Sequence, residues 1–128
     1  MLIKDNHFVA LGADKMEVIE TTIRRLRDTI PAGMKIQAEA DSMALLKKVL
    51  PSHPDMILLD NMRGELLKKA VLLIREEIAR TGKKIEIEAS GGITLKNVRD
   101  IALSGVDRIS IGAITHSSHN IDFSLDIL

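Results

Sequence analysis

Hydrophobic and polar positions along this chain fall into two alternating rhythms. Short apolar or two-residue-alternating runs are each followed by a longer segment whose apolar residues recur every three or four positions, the pattern of repeated βα units around a parallel sheet. Met1 to Lys4 reads as a short first strand. A helix is predicted from about Asp14 to Thr29, with Met16, Ile19, Ile23 and Leu26 on one face and Pro31 and Gly33 as its stop. Lys35 to Ala40 is the second strand, and Asp41 or Ser42 caps a second helix whose Met43, Leu46 and Leu50 share a face until Pro51. Asp55 to Leu59 is a nearly continuous apolar strand. A third helix runs from about Glu65 to Thr81, with Leu66, Ala70, Leu73, Ile74 and Ile78 inward and Gly82 ending it. Lys84 to Ala89 is the fourth strand, Thr94 caps a fourth helix reaching Leu103, and Arg108 to Ile111 is the fifth strand.

Two strands break the expectation for a sheet covered on both sides. Gln37 and Glu39 share one face of the second strand, and Glu86 and Glu88 share one face of the fourth. That face either meets solvent or lines the polar interior of a barrel, and the residues leave both readings open.

The fourth strand runs into Ser90-Gly91-Gly92 and then the predicted helix start. Backbone N–H groups of such a turn, with the dipole of a following helix, suit a phosphate-sized anion without any basic side chain; the same turn also serves as a plain connector. Lys4, Glu39, Asp60, Ser90 and Gly112 then fall at the carboxyl ends of five successive strands, the edge where parallel α/β folds bind ligands. Each has a bland reading: a terminal lysine, a solvated glutamate, a turn cap in Asp60-Asn61. Five at one edge form a site. Glu39 and Asp60 offer hard oxygen ligands for Mg²⁺ or hydrogen bonds to ribose hydroxyls, and Lys4 offers a point cation. The backbone around Ser90 to Gly92 and Gly112 matches the paired loops that hold phosphate in many barrels.

Composition narrows the classes. The chain has 128 residues, one ordinary domain and well short of the roughly 250 typical of a closed eight-stranded α/β barrel. Eighteen basic and 18 acidic residues argue against a nucleic-acid or membrane surface, and two phenylalanines are too few for a base-stacking platform. No cysteine and no long apolar run point to a cytoplasmic protein. His7 follows the first strand and His53 lies in a Pro-flanked loop; His116 and His119 lack a third metal ligand.

Lys4-Asp5-Asn6-His7, Leu59-Asp60-Asn61-Met62, Glu88 through Leu95 with its Ser-Gly-Gly, and Gly105-Val106-Asp107 through Ile109-Ser110-Ile111-Gly112-Ala113 together resemble quinolinate phosphoribosyltransferase, the carboxylating nicotinate-nucleotide pyrophosphorylase. The resemblance covers essentially the whole chain. It implies conversion of quinolinate and phosphoribosyl pyrophosphate, with Mg²⁺, to nicotinate mononucleotide, pyrophosphate and CO₂ in NAD biosynthesis. It implies Lys4, Glu39 and Asp60 as catalytic residues, the last two toward ribose and Mg²⁺. Ser90, Gly91, Gly92, Ile111, Gly112 and Ala113 would contact phosphate, with Asp5, Asn6, His7 and Asn61 in support. Gln37 departs from the family, which commonly places a glutamate there. Family members also carry a separate N-terminal domain and earlier strands with arginines that clamp the quinolinate carboxylates.

The expectation is therefore a single α/β domain, five parallel strands forming the C-terminal half of a TIM-type barrel with the N-terminal domain absent, inactive or weak alone. Its unpaired strand edges predict a homo-oligomer or a partner chain supplying the other half. The alternative fold is a flattened flavodoxin-like sheet. The alternative functions are a non-catalytic phosphate-binding half-barrel and a molybdenum-transport phosphoribosyltransferase-like protein.

Overall fold

A computed structural model describes residues 1–4, 6–7 and 16–116, with the side chains of Met16 and His116 excluded. Asp5, Phe8, His119 and Phe123 lie outside the described residues. The elements run β1 (Leu2–Ile3), α1 (Met16–Thr29), β2 (Gln37–Ala40), α2 (Met43–Val49) with a 3₁₀ turn (Leu50–Ser52), β3 (Met56–Asp60), α3 (Gly64–Thr81), β4 (Glu86–Ser90), α4 (Val98–Ala102), β5 (Arg108–Ile109) and α5 (Ala113–His116). All neighbouring strands pair in parallel, in the order β1-β2-β3-β4-β5.

That order decides between the two folds. A flavodoxin-like sheet reverses direction after its first pair and carries helices on both faces. Here every crossover advances the same way, and right-handed crossovers then put all helices on one side, as in a barrel wall. The burial pattern agrees: on β2 and β4, Ala38, Ala40, Ile87 and Ala89 are buried while Gln37, Glu39, Glu86, Glu88 and Ser90 are half-exposed. The sheet is a partial TIM-type barrel wall, and the flattened alternative is set aside.

Behind the sheet the core forms two clusters. One joins Ile3, Ile36, Ala38 and Val49 to Ile19 and Ile23 of α1; the other packs Ile57, Leu59 and Ile87 against Leu46, Leu67 and Ile74 of α2 and α3. Ser42 caps α2, its hydroxyl accepting from the Leu45 N–H at 3.2 Å. Gly82 ends α3 at φ +69°, left-handed backbone that glycine adopts without strain.

Four expectations are corrected. Leu66 is 43% exposed and Leu67 is buried instead, because α3 begins at Gly64 and its inward stripe runs through Leu67, Ala70, Val71 and Ile74. Thr94 does not cap α4. Residues 94–97 form a turn in which the Thr94 carbonyl accepts from the N–H groups of Asn97 and Val98, leaving a helix of only five residues that ends at Ala102 and not at Leu103. The fifth strand likewise stops at Ile109, two residues short of Ile111.

Candidate functional site

Register sets the polar face in rows. Gln37, Met56 and Glu86 are level; one row further, Glu39, Leu58, Glu88 and Arg108 are level; then Asp60 meets Ser90. Within these rows the polar groups are already paired. Gln37 Nε2 donates to Glu88 Oε2 at 2.8 Å, and Ser110 Oγ donates to the other Glu88 oxygen. Lys35 and Arg108 approach Glu86 at 3.2 and 3.5 Å. A glutamine at position 37 thus supplies a neutral donor where a carboxylate would face Glu88.

At the carboxyl edge, the segment after β3 is locked to the loop after β4. Asn61 sits in left-handed backbone (φ +54°), its N–H donates to the Ser90 carbonyl at 2.9 Å, and its Nδ2 donates to Asp60 Oδ2 at 2.7 Å. Asn61 therefore aims the Asp60 carboxylate while bracing the next loop. Gly91 (φ +87°) abuts it so closely that a Cβ would collide with the Asn61 side chain and stand 2.9 Å from its backbone nitrogen. Only glycine satisfies both the backbone angle and the approach.

The glycine loop opens onto a cavity of about 620 Å³ lined by Ser90, Gly91, Gly92, Ile93, Thr94, Ser110, Gly112 and Ala113. The two loops named from sequence as phosphate cradles thus share one space. Ile111 does not line it; its side chain packs against the core. With α4 only five residues long, the donors nearest this cavity are loop amides and not the end of a long helix. Larger in polar content but remote is a cavity at the opposite strand ends, lined by Lys35, Asp55, Arg75, Lys84, Glu86 and Asp107; that face of a barrel serves stability.

The other predicted residues share the edge but not the cavity. Lys4 follows β1, one residue beyond the Ile3–Ala38 pair, and is exposed. Its N–H donates to His7 Nδ1 at 3.0 Å and its carbonyl accepts from the His7 N–H at 3.0 Å, so His7 folds the turn that carries it; Asn6 lies within that turn. Glu39 and Asp60 lie on the same face of adjacent strands, two residues apart in register, which from ordinary strand spacing separates their Cα atoms by about 8 Å. Among the described residues no group of three or more His, Cys, Asp or Glu is arranged to hold a metal ion. Mg²⁺ usually keeps several waters and binds through one or two carboxylates plus substrate phosphates, and the Glu39–Asp60 pair suits that mode. Arg63 and Asn97 were missed: Arg63 Nη2 lies 3.2 Å from the Gly92 carbonyl and 3.5 Å from that of Gly91, and Asn97 Nδ2 donates to the Gly92 carbonyl at 3.1 Å. Nothing local marks Arg63, since its partners come from another loop, whereas Asn97 braces its own loop, bonding Gly92 and Thr94 a few residues before it.

The sequence matches the family described as Quinolinate phosphoribosyl transferase, C-terminal domain, over residues 1–126. The chain belongs to this family. A protein of Methanocaldococcus jannaschii described as a probable carboxylating nicotinate-nucleotide pyrophosphorylase is 38% identical over the whole chain, and the human carboxylating nicotinate-nucleotide pyrophosphorylase is 30% identical over 99% of it. The chain spans 43% and 40% of their lengths. The crystal structure of the nicotinate-nucleotide pyrophosphorylase from Ehrlichia chaffeensis superposes with a TM-score of 0.77 at 39% identity, covering 95% of this chain and 40% of that one. Among the described residues no helix is long and apolar enough to cross a membrane.

Proposed function

We propose that this chain forms the phosphate- and ribose-facing part of a quinolinate phosphoribosyltransferase site, which converts quinolinate and phosphoribosyl pyrophosphate to nicotinate mononucleotide, pyrophosphate and CO₂. The observation that carries the reading is the single cavity shared by the Ser90–Gly92 loop and the Gly112–Ala113 turn. Its backbone amides would hold the substrate's phosphate, Asp60 held by Asn61 and Glu39 would face ribose hydroxyls, and Lys4 would offer its cation to the anionic substrates. Mg²⁺ would be held by Glu39 and Asp60 and would supply charge neutralisation at the pyrophosphate leaving group. The molybdenum-transport alternative gains no support, since the relatives described above carry the pyrophosphorylase name.

The strands β1 and β5 each have one neighbour among the described residues, which supports assembly with a second copy or with further barrel strands. Sedimentation at micromolar concentration tests this; a strict monomer would contradict it. The phosphate site is tested by calorimetric titration with inorganic phosphate. Wild-type protein is expected to bind and Gly91→Val to lose binding with its circular dichroism retained. Binding unchanged in Gly91→Val would overturn the reading.

A further inference from the structure

Arg63 occupies the N-cap position of α3 with extended backbone (φ −144°, ψ 162°) and makes no side-chain capping bond. That position favours Ser, Thr, Asp or Asn, whose short side chains satisfy the first helical N–H groups. A residue that forgoes a local preference is expected where it serves something elsewhere. Its guanidinium instead crosses to the carbonyls of Gly91 and Gly92, and Asn97 donates to the second of these as well. Neither Arg63 nor Asn97 lines the cavity that the loop encloses. In a planar trans peptide the carbonyl and the following N–H point in opposite directions. Holding the Gly91 and Gly92 carbonyls away from the cavity therefore turns the N–H groups of Gly92 and Ile93 toward it. Among the described residues those two N–H groups donate to no protein acceptor. They are left as donors at the cavity, and an anion there would accept from them.

We propose that Arg63 is a positioning residue, gripping the glycine-loop carbonyls from outside so that the Gly92 and Ile93 amides are preset to receive a phosphate. The inference rests on the phosphate-site reading above. The test is a titration of the ¹⁵N-labelled 128-residue chain with inorganic phosphate, followed by amide shifts, for wild type, Arg63→Ser and Arg63→Lys, with melting temperature measured in parallel. In wild type the Gly92 and Ile93 amides move on titration. Arg63→Ser restores a capping side chain, so its melting temperature is held or raised while phosphate affinity falls about tenfold, the worth of one charge-assisted hydrogen bond. Arg63→Lys weakens binding too, because a point ammonium cannot span two carbonyls as the guanidinium fork does. Wild-type affinity in Arg63→Ser overturns the proposal and leaves the phosphate site standing. Wild-type affinity in Arg63→Lys alone reduces Arg63 to an attracting charge and overturns positioning. Absence of Gly92 and Ile93 shifts in the wild-type chain overturns both readings.

Discussion

Gln37 shows how one atom type sets the balance of the inner face. Its Nε2 donates to Glu88, whose other oxygen accepts from Ser110. Gln37→Glu would place a second carboxylate against Glu88, and like charges at that distance push one of the pair's pKa values up. A raised folded-state pKa means the penalty is present above the ordinary carboxyl range and relieved as pH falls through the raised value. Gln37→Glu is expected to destabilise by about 1–2 kcal/mol near neutral pH, with the deficit shrinking toward pH 5. Urea midpoints at the two pH values measure it; an equal deficit at both would contradict the pairing. From sequence Gln37 reads only as a lost charge. Its partner is 51 residues away, and only the register shows it. Arg63 is less legible still, since its carbonyl partners lie 28 and 29 residues on.

Strand entry is secured by the same device twice. Asp55, just before β3, accepts from the Ile36 N–H at 2.8 Å and from Arg27 of α1 at 3.1 Å; Asp107, just before β5, accepts from the Ile87 N–H at 2.8 Å and from Arg75 of α3 at 2.6 Å. Each pin ties a strand to its neighbour and to the helix leading into the neighbouring βα step. Asp55→Ala leaves the Ile36 N–H without its acceptor and is expected to cost about 1–3 kcal/mol, read as a shift in urea midpoint. Burial raises the Asp55 carboxyl pKa, but the Ile36 N–H and the Arg27 and Lys35 charges outweigh it and hold the group below its ordinary value. A lowered folded-state pKa gives stability that is present above the ordinary value and lost as pH falls through the lowered one. Asp55→Asn should therefore flatten the acid limb of the stability curve, and an unchanged limb would contradict this. Ser42→Ala, which removes the α2 cap, is expected to cost about 1 kcal/mol. The existence and order of the long elements were legible because apolar period encodes them. Leu66 and Thr94 misled, since a continuous apolar run does not say which residue turns inward and a Thr following Gly-Gly-Ile serves a turn as readily as a cap.

Sequential strand order, helices on one side and a polar opposite face make the molecule a barrel wall whose carboxyl edge carries Lys4, Asp60, Ser90 and Gly112. The wall presents the Ser90–Gly92 loop and the Glu39–Asp60 pair, with Lys4 after β1. Positioning supplies much of the rate in such transfers, so the 128-residue chain assayed alone is expected to release no detectable pyrophosphate from quinolinate and phosphoribosyl pyrophosphate. Near-enzyme rates would contradict that. Binding is the sharper question, because the proposed phosphate cradle and the proposed metal-holding Glu39–Asp60 pair would make separable contributions. Calorimetry with phosphoribosyl pyrophosphate, with and without Mg²⁺, on wild type and Asp60→Asn reads both at once. Wild type should bind in either condition and more tightly with Mg²⁺, and Asp60→Asn should keep the metal-free binding while losing the Mg²⁺ gain. Absence of binding, or a Mg²⁺ gain undiminished in Asp60→Asn, would contradict the assignment of this edge as the phosphoribosyl site.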